Sequence, residues 1–285
     1  MAKKHLKITA IIQARMTSTR LPGKVMLPLP YGSRTPALEQ MIKRIKKCRL
    51  VDQIIIATTT NKDDDVICRL SRKLNVGYFR GSEENVLSRY YFAAKKNGAD
   101  VVLRLTSDCP LIDPGIIDKT IQMHIKDKND YSSCGPYPVG MSVEIMSFDT
   151  LKETFLNAKK EEEKEHVTPY IYWSHPEKFK IGILKVPKIL KRHDIRVTLD
   201  TPADYALICL VFDELYKKKR YFSVSDIVCL FNEKPYLLLV NKNIVQKKIF
   251  KNITDELKEA IRVLDMQDLK RARDLLAGKM KKGFK

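Results

Sequence analysis

Short apolar, β-branched runs alternate with amphipathic segments from residue 8 to residue 126, and this alternation constrains the fold more than any other feature. Four runs predict buried strands, at residues 8–12, 52–58, 76–79 and 100–105. Four segments predict helices, at residues 36–47, 63–74, 83–97 and 114–126. Thr35 and Ser82 are the expected N-caps of the first and third helix. This spacing predicts an α/β fold with a mostly parallel sheet flanked by helices.

The alternation loosens after residue 128. Further strands are predicted at residues 131–134, 141–148, 178–186 and 195–199. Helices are predicted at 161–173, with a break at Pro169, at 202–216, and from a Ser223 or Ser225 cap to 231. Residues 241–285 hold thirteen lysines and arginines against six acids, and keep a helical apolar stripe. We therefore expect one domain over 1–245, with an irregular region near 130–190, and a basic helical extension over 246–285.

Composition excludes several classes of protein. No apolar run approaches the roughly 20 residues of a membrane span, so we interpret the N-terminal stretch as the first strand of a cytoplasmic protein. The six cysteines form no CxxC pair, which argues against a zinc site or a disulfide framework. The net charge of +19 raises nucleic acid as a partner. No helix-turn-helix, zinc-finger or RNA-recognition signature accompanies that charge, so nucleic acid is not favoured.

A polar loop directly follows the first predicted strand. It carries a dense set of hydrogen-bond donors and cations: Gln13, Arg15, Ser18, Thr19, Arg20, Gly23 and Lys24. Such a loop is suited to a polyanion, because hydroxyl and backbone N–H groups contact phosphate oxygens while arginine and lysine offset charge. A solvated basic loop is the alternative. The abrupt change from strand to loop favours a phosphate site.

Further polar residues follow the other predicted strands. Arg80–Gly81–Ser82 ends the third strand, and Asp108 and Asp200 follow two others. With a triphosphate nearby, two carboxylates are the hard oxygen ligands that Mg²⁺ takes. Spacing alone favours a helix N-cap for Asp200 and leaves Asp108 open between a turn and a ligand. Cys109 is interpreted as a packing residue, since no nucleophilic constellation accompanies it.

These residues lie in segments that resemble a known family. The chain resembles the spore-coat polysaccharide biosynthesis cytidylyltransferases, relatives of the 3-deoxy-manno-octulosonate and acylneuraminate cytidylyltransferases. The resemblance runs in order from about residue 7 to about residue 245, through IIQARMTSTRLPGKVM, PALEQMIKRI, VDQIIIATT, FRGSEENVLSRYY, ADVVLRLTSDCPLIDP, EHVTPYIY and VTLDTPADY. It implies a Rossmann-like nucleotide-diphosphosugar transferase fold and transfer of CMP from CTP to a sugar, with release of pyrophosphate.

The resemblance also implies roles for individual residues. The catalytic set is Arg15, Arg20, Lys24 and Asp108, and the metal ligands are Asp108 and Asp200, with Mg²⁺ as the cofactor. The nucleotide-binding set is Gln13, Ala14, Arg15, Ser18, Arg20, Lys24, Arg80, Gly81, Ser82 and Arg104. The sugar-side set, from the irregular middle region, is Gly140, Glu144, Glu165 and His166; the same region is expected to join a homodimer. Relatives often carry an acid where this chain has Ser142.

The sugar-side residues also have purely structural interpretations. Glu144 and Glu165 are either surface charges or substrate-side acceptors, and His166 is either a satisfied histidine or a substrate contact. The first hypothesis for the function is a Mg²⁺-dependent cytidylyltransferase for a nonulosonic or ulosonic acid in surface polysaccharide or glycan biosynthesis. A nucleotidyltransferase for a sugar 1-phosphate or other phosphorylated metabolite, with another nucleotide, is the nearer alternative. A non-catalytic nucleic-acid-binding protein is the distant one.

Overall fold

A computed structural model describes residues 5–244, 250 and 252–282. The chain divides into two compact units, Met1–Lys242 and Asn243–Lys285. The predicted boundary at residue 245 lies outside the described residues. Within the described ranges, none of the helices combines the length and the apolar character that a membrane span requires.

The first unit is built around a seven-stranded sheet. Its strands are β1 Ile8–Gln13, β2 Gln53–Thr59, β3 Gly77–Gly81, β4 Val101–Thr106, β5 Tyr131–Cys134, β6 Glu144–Ser147 and β7 Ile181–Leu184. They lie in the order β3-β2-β1-β4-β6-β5-β7. Every neighbouring pair is parallel except the two that involve β6, which runs antiparallel to β4 and β5. The predicted mostly parallel α/β sheet is therefore confirmed.

Helices cover both faces of this sheet. In the first unit they are α1 Ala37–Ile45, α2 Asp65–Lys73, α3 Val86–Lys96, α4 Pro114–Asp127, α5 Phe148–Asn157, α6 Glu161–His166, α7 Pro202–Leu215 and α8 Val224–Glu233. Apolar residues of α1, α2, α4, α7 and α8 share one core with one face of the sheet. Residues of α3 and α5 and the 167–171 segment share the second core with the opposite face. Strands buried on both faces explain the near-continuous apolar runs of β1, β2 and β4.

Two predicted helix caps are wrong. The N-cap of α1 is Pro36, which has extended backbone angles, and Thr35 lies one residue before it. The N-cap of α3 is Asn85, whose side chain accepts a hydrogen bond from the Ser88 N–H. Ser82 instead accepts from the Asn85 N–H, so its hydroxyl stabilises the turn that leads into the helix.

Two predictions in the second half also need correction. Residues 195–199 form no strand; they make a single β-bridge between Arg196 and Val139. The apolar side chains of Ile195 and Leu199 are nevertheless fully buried in the first core, which explains the strand-like pattern. The helix predicted over 161–173 ends at His166, because Val167 has a φ of 71°. A separate helical turn follows at 170–174.

The second unit contains two helices, α9 Ile253–Met266 and α10 Lys270–Lys282. Asn252 is the N-cap of α9, where its side chain accepts from the Asp255 N–H. An ion pair between Arg273 and Asp265 joins the two helices, at 2.7 Å. Most of the described residues of this unit are therefore helical.

Candidate active site

The loop of residues 14–24 is shaped by a carboxylate buried beneath it. Asp64, which is 1% exposed, accepts from the Met16 N–H at 2.7 Å and from the Thr59 N–H and hydroxyl. The Met16 carbonyl in turn accepts from the N–H groups of Ser18 and Gly23. Gly23 has a φ of 68°, a left-handed conformation that glycine adopts without steric cost. The loop therefore folds back on itself and delivers Lys24 to the edge of the sheet.

Arg15 is held at the other side of this loop by Glu83. The two side chains form an ion pair at 3.2 Å, and Glu83 also accepts from Thr17 at 2.6 Å and from Asn61 at 2.5 Å. These two hydrogen bonds, with the nearby arginine, lower the pKa of Glu83. The sequence interpretation missed Glu83, because nothing in the GSEEN segment shows which of its two acids would pair with Arg15.

Asp108 and Asp200 meet at one ammonium group. Lys24 Nζ lies 2.8 Å from Asp200 Oδ1 and 3.4 Å from Asp108 Oδ2, and Arg20 reaches the same Asp200 oxygen at 3.3 Å. Burial lowers the pKa of Lys24, but the two carboxylates outweigh it and the net pKa lies above its ordinary value. Burial raises the pKa of Asp200, but Lys24, Arg20 and Arg196 outweigh it and the net pKa is lowered. The structure thus brings the loop and both predicted metal ligands together.

Backbone contacts fix the two aspartates relative to each other. The Asp108 carbonyl accepts from the Leu199 N–H at 2.7 Å and from the Thr198 hydroxyl at 3.1 Å. The cap interpretation of Asp200 is wrong, because Thr201 is the N-cap of α7 and forms a capping box with Asp204. The Asp200 side chain is consequently free of capping and turns toward the cations.

Arg196 is a site residue that the sequence interpretation missed. Its guanidinium donates to Asp200 Oδ2 at 3.0 Å and to both oxygens of Asp204, at 2.9 and 3.2 Å. Asp204 is fully buried and also accepts from Asn241. The contact between Arg196 and Asp204 holds the arginine rigidly behind Asp200. In the sequence, Arg196 is a single cation inside an apolar run, and nothing marks its partner.

A second polar cluster lies on β4, β6 and the segment after α6. Arg104 and Glu144 are directly opposite on the antiparallel strands and form an ion pair. Tyr131 and Thr168 donate to Glu144 Oε1 at 2.5 and 2.7 Å, while Arg104 also donates to Gln13 at 3.3 Å. Burial lowers the pKa of Arg104, but Glu144 outweighs it and the net pKa is raised. Glu144 is thus the centre of a buried network and does not act as a surface charge.

Arg80 and Ser82, which the resemblance assigns to nucleotide binding, lie on β3 and directly after it. Arg80 donates to Asp65 at 2.6 Å and to the carbonyls of Thr59 and Asn61, so its guanidinium is engaged by the connection after β2. Ser82 is exposed. The structure does not bring Arg80 into hydrogen-bonding contact with the loop at 14–24.

Gly81 and Ala14 flank a buried arginine. A Cβ on Gly81 would lie 3.0 Å from Arg89 Cγ, so glycine permits close approach there. Arg89 is 2% exposed and donates weakly to the Ala57 carbonyl at 3.5 Å; the same carbonyl accepts from the Ala14 N–H. Burial lowers the pKa of Arg89. The sequence segment SRY gives no indication that Arg89 is buried against Gly81.

The remaining sugar-side residues lie on two different segments. Gly140 has a φ of 98° and packs against the backbone of Val197 and Thr198. Glu165 and His166 end α6 with their side chains 4.0 Å apart, and Thr168, two residues further on, supplies the contact to Glu144. Ser142 is exposed just before β6.

Comparison with known proteins places this arrangement in a family. A family model described as cytidylyltransferase matches residues 9–227, which include both aspartates and the cationic loop. The chain belongs to the cytidylyltransferase family. It is therefore a nucleotidyltransferase enzyme, and the resemblance seen in the sequence is confirmed.

Relatives extend over most of this cytidylyltransferase. An uncharacterized protein of Methanocaldococcus jannaschii is 41% identical over 244 residues, covering 85% of this chain and 97% of that protein. The spore coat polysaccharide biosynthesis protein SpsF of Bacillus subtilis is 34% identical, covering 80% and 95%. A cytidylyltransferase structure from Leptospira borgpetersenii superposes with a TM-score of 0.76 at 29% identity, covering 86% of this chain and all of that one.

One further relative matches only in part. The 3-deoxy-manno-octulosonate cytidylyltransferase of Geobacter sulfurreducens is 33% identical over 118 residues, covering 41% of this chain and 44% of that enzyme. Because the alignment is partial, it supports the family and leaves the acceptor of this chain open.

Proposed function

We propose that this enzyme transfers CMP from CTP to a hydroxyl of an acidic sugar, with Mg²⁺ and release of pyrophosphate, for surface polysaccharide or glycan biosynthesis. The observation that carries the proposal is the meeting of Asp108, Asp200 and Lys24 beside the cationic loop. The loop follows β1 and Asp108 follows β4, at the carboxyl ends of parallel strands where α/β sheets bind ligands, and the backbone next to Asp200 is hydrogen-bonded to Asp108. In a cytidylyltransferase, this is the position expected for the triphosphate.

The donor set fits Mg²⁺ held together with a nucleotide. Asp108 and Asp200 offer hard carboxylate oxygens, and the described residues contain no group of three or more His, Cys, Asp or Glu side chains able to hold a metal alone. Mg²⁺ is commonly held by one or two carboxylates plus substrate phosphates and waters, which is what this pair supports. When bound, the ion would neutralise phosphate charge.

The reaction requires positioning and charge neutralisation from the protein. A sugar hydroxyl forms a bond to the α-phosphorus and loses its proton, while the bond to the β-phosphate oxygen breaks and pyrophosphate leaves. Arg15, Arg20 and Lys24 would hold the phosphates and offset the charge of the leaving group. Cys109 is not suited to act as a nucleophile in place of the sugar hydroxyl, because burial raises the pKa of its thiol well above the ordinary value.

The second polar cluster is the proposed acceptor side. Arg104, which the resemblance assigns to the nucleotide-binding set, lies in this cluster paired with Glu144, and we propose that its guanidinium also donates to the carboxylate of an acidic sugar. Glu165 and His166 lie just before Thr168 of this cluster, whereas Gly140 packs against Val197 and Thr198. The partial match to a 3-deoxy-manno-octulosonate cytidylyltransferase supports a sugar acid as the acceptor.

A screen of pyrophosphate release tests the proposal. CTP, UTP, ATP and GTP are each supplied with sugar acids, neutral sugars and sugar 1-phosphates, in Mg²⁺ buffer. We expect release from CTP with a nonulosonic or ulosonic acid, and a loss of at least 10³-fold in Asp108→Asn. Asp127→Asn is the matched control, because Asp127 is exposed at the end of α4.

The screen also separates the alternatives. Release with a sugar 1-phosphate, or with another nucleotide, would replace the acidic-sugar proposal by a different nucleotidyl transfer. No release under any combination, together with salt-dependent binding of DNA or RNA, would favour the nucleic-acid alternative.

We also propose that the enzyme is a homodimer joined through the region near residues 130–190. This proposal is supported by β7, an edge strand of the sheet on which Ile183 is 63% exposed. Ile189 is also exposed, at 73%. The unpaired backbone groups of this edge strand can pair with a second copy of the chain, and the exposed apolar side chains would be buried in such a contact.

A further inference from the structure

The ammonium of Lys24 lies between the two carboxylates that would hold the cation. It is 2.8 Å from Asp200 and 3.4 Å from Asp108, and its side chain is only 13% exposed. A positive charge thus bridges the two carboxylates. A divalent cation taking the same two oxygens would have to displace that charge.

Asp200 is also surrounded by other cations. Arg20 shares its Oδ1 oxygen with Lys24 at 3.3 Å, and Arg196 covers its Oδ2 oxygen at 3.0 Å. Arg196 cannot easily move away, because it also pairs with the fully buried Asp204. A bare divalent cation would therefore meet strong repulsion here, whereas one bound to a polyphosphate would not.

We propose that Lys24 acts as a stand-in for the divalent cation, so that metal and nucleotide enter the site together. The polyphosphate attracts the ammonium away from the carboxylates, and the cation takes the place it leaves. Lysine suits this exchange, because it is a compact point charge on a flexible four-carbon stem. The inference rests on the proposed Mg²⁺-dependent function and explains why a lysine of the loop at 14–24 contacts both carboxylates.

Binding of Mn²⁺ to the nucleotide-free enzyme tests the proposal, with free Mn²⁺ followed by electron paramagnetic resonance. We expect weak binding to the full-length wild type and at least tenfold tighter binding to Lys24→Met. Arg15→Met is the matched control: it removes a cation from the same loop, but Arg15 pairs with Glu83 and not with the aspartates. Its Mn²⁺ affinity should equal that of the wild type.

A second arm adds the α,β-methylene analogue of CTP, which cannot transfer CMP. The analogue should tighten Mn²⁺ binding to the wild type at least tenfold, and tighten it much less in Lys24→Met. Thermal melts check that each variant folds, with Lys24→Gln as the replacement if the methionine variant does not.

Two results would overturn the proposal: equal Mn²⁺ affinity in wild type and Lys24→Met, or an equal gain in Arg15→Met. Because Mn²⁺ is measured without turnover, the outcomes are separable from the proposed function. If CTP is turned over and Lys24→Met gains no Mn²⁺ affinity, only the stand-in role fails. If no nucleotide is turned over and the gain is present, the stand-in role stands and the proposed reaction fails.

Discussion

Neutralising Glu144 should destabilise the enzyme by far more than a surface charge change. Glu144→Gln keeps the size of the side chain and an oxygen for Tyr131 and Thr168, but leaves Arg104 without its counter-charge. The side chains of Arg104 and Glu144 are only 12% and 17% exposed. Removing one partner of a buried pair costs about 3–5 kcal/mol, because the other charge stays buried and unpaired.

A double-mutant cycle separates that cost from lost packing. Urea unfolding of wild type, Glu144→Gln, Arg104→Met and the double variant gives the coupling free energy between the two residues. We expect a coupling of about 3 kcal/mol, with the double variant more stable than the sum of the single changes predicts. In thermal melts, Glu144→Gln should lower Tm by roughly 6–20 °C, at about 2–4 °C per kcal/mol for a domain of this size.

Additive effects would refute this reasoning. If the two single changes summed to the double within about 0.5 kcal/mol, the pair would be solvated and would contribute little. The acceptor side could not then be described as a preorganised, buried network.

Three further predictions concern other parts of the molecule. The pKa of Asp200 is lowered in the folded enzyme, so its charged form stabilises the fold above the ordinary carboxyl value of 3.8, and this stabilisation is lost as pH falls through the lower folded pKa. Below about pH 4, the free energy of urea unfolding should therefore fall more steeply with pH in the wild type than in Asp200→Asn. Gly140→Ala should lower the free energy of unfolding by about 1–3 kcal/mol more than Gly98→Ala does. Both glycines have positive φ, but only at Gly140 of the two would a Cβ lie 2.7 Å from a backbone nitrogen. Equal losses of stability would contradict this reasoning. Light scattering should give twice the chain mass, and Ile183→Asp should halve it; a wild-type monomer would exclude the proposed interface.

Local sequence pattern was sufficient for most of the sheet and its helices. β1, β2 and β4 are buried on both faces, so their apolar runs are unambiguous, and the helices between them follow from periodicity. The strand predicted at 195–199 was wrong for the same reason, since a buried segment that bridges only at Arg196 carries the same apolar pattern as a paired strand. Periodicity reports burial and not pairing.

The sequence predicted a site residue only where its position relative to an apolar run marked it. Asp108 and Lys24 stand out because they follow strands whose ends lie at one edge of the sheet, and Asp200 stands out because it follows an apolar run that resembles a strand. Their neighbours do not: Arg196 is brought to Asp200 by the turn into α7, and Glu83 reaches Arg15 across a gap of 68 residues. Such contacts depend on the exact turn or on tertiary geometry, and a single sequence does not show which charges become partners.

The reversed direction of β6 has a consequence for how this scaffold can diversify. Glu144 opens that strand, so the chain approaches the acceptor side through the connection at 135–143, whereas Asp108 is delivered by the exit of β4. Much of that connection is buried, because Tyr137 and Met141 lie in the first core and Val139 bridges to Arg196. Ser142 is exposed there, so a change at this position could alter the proposed acceptor side while the parallel strands β1, β2 and β4 keep their register.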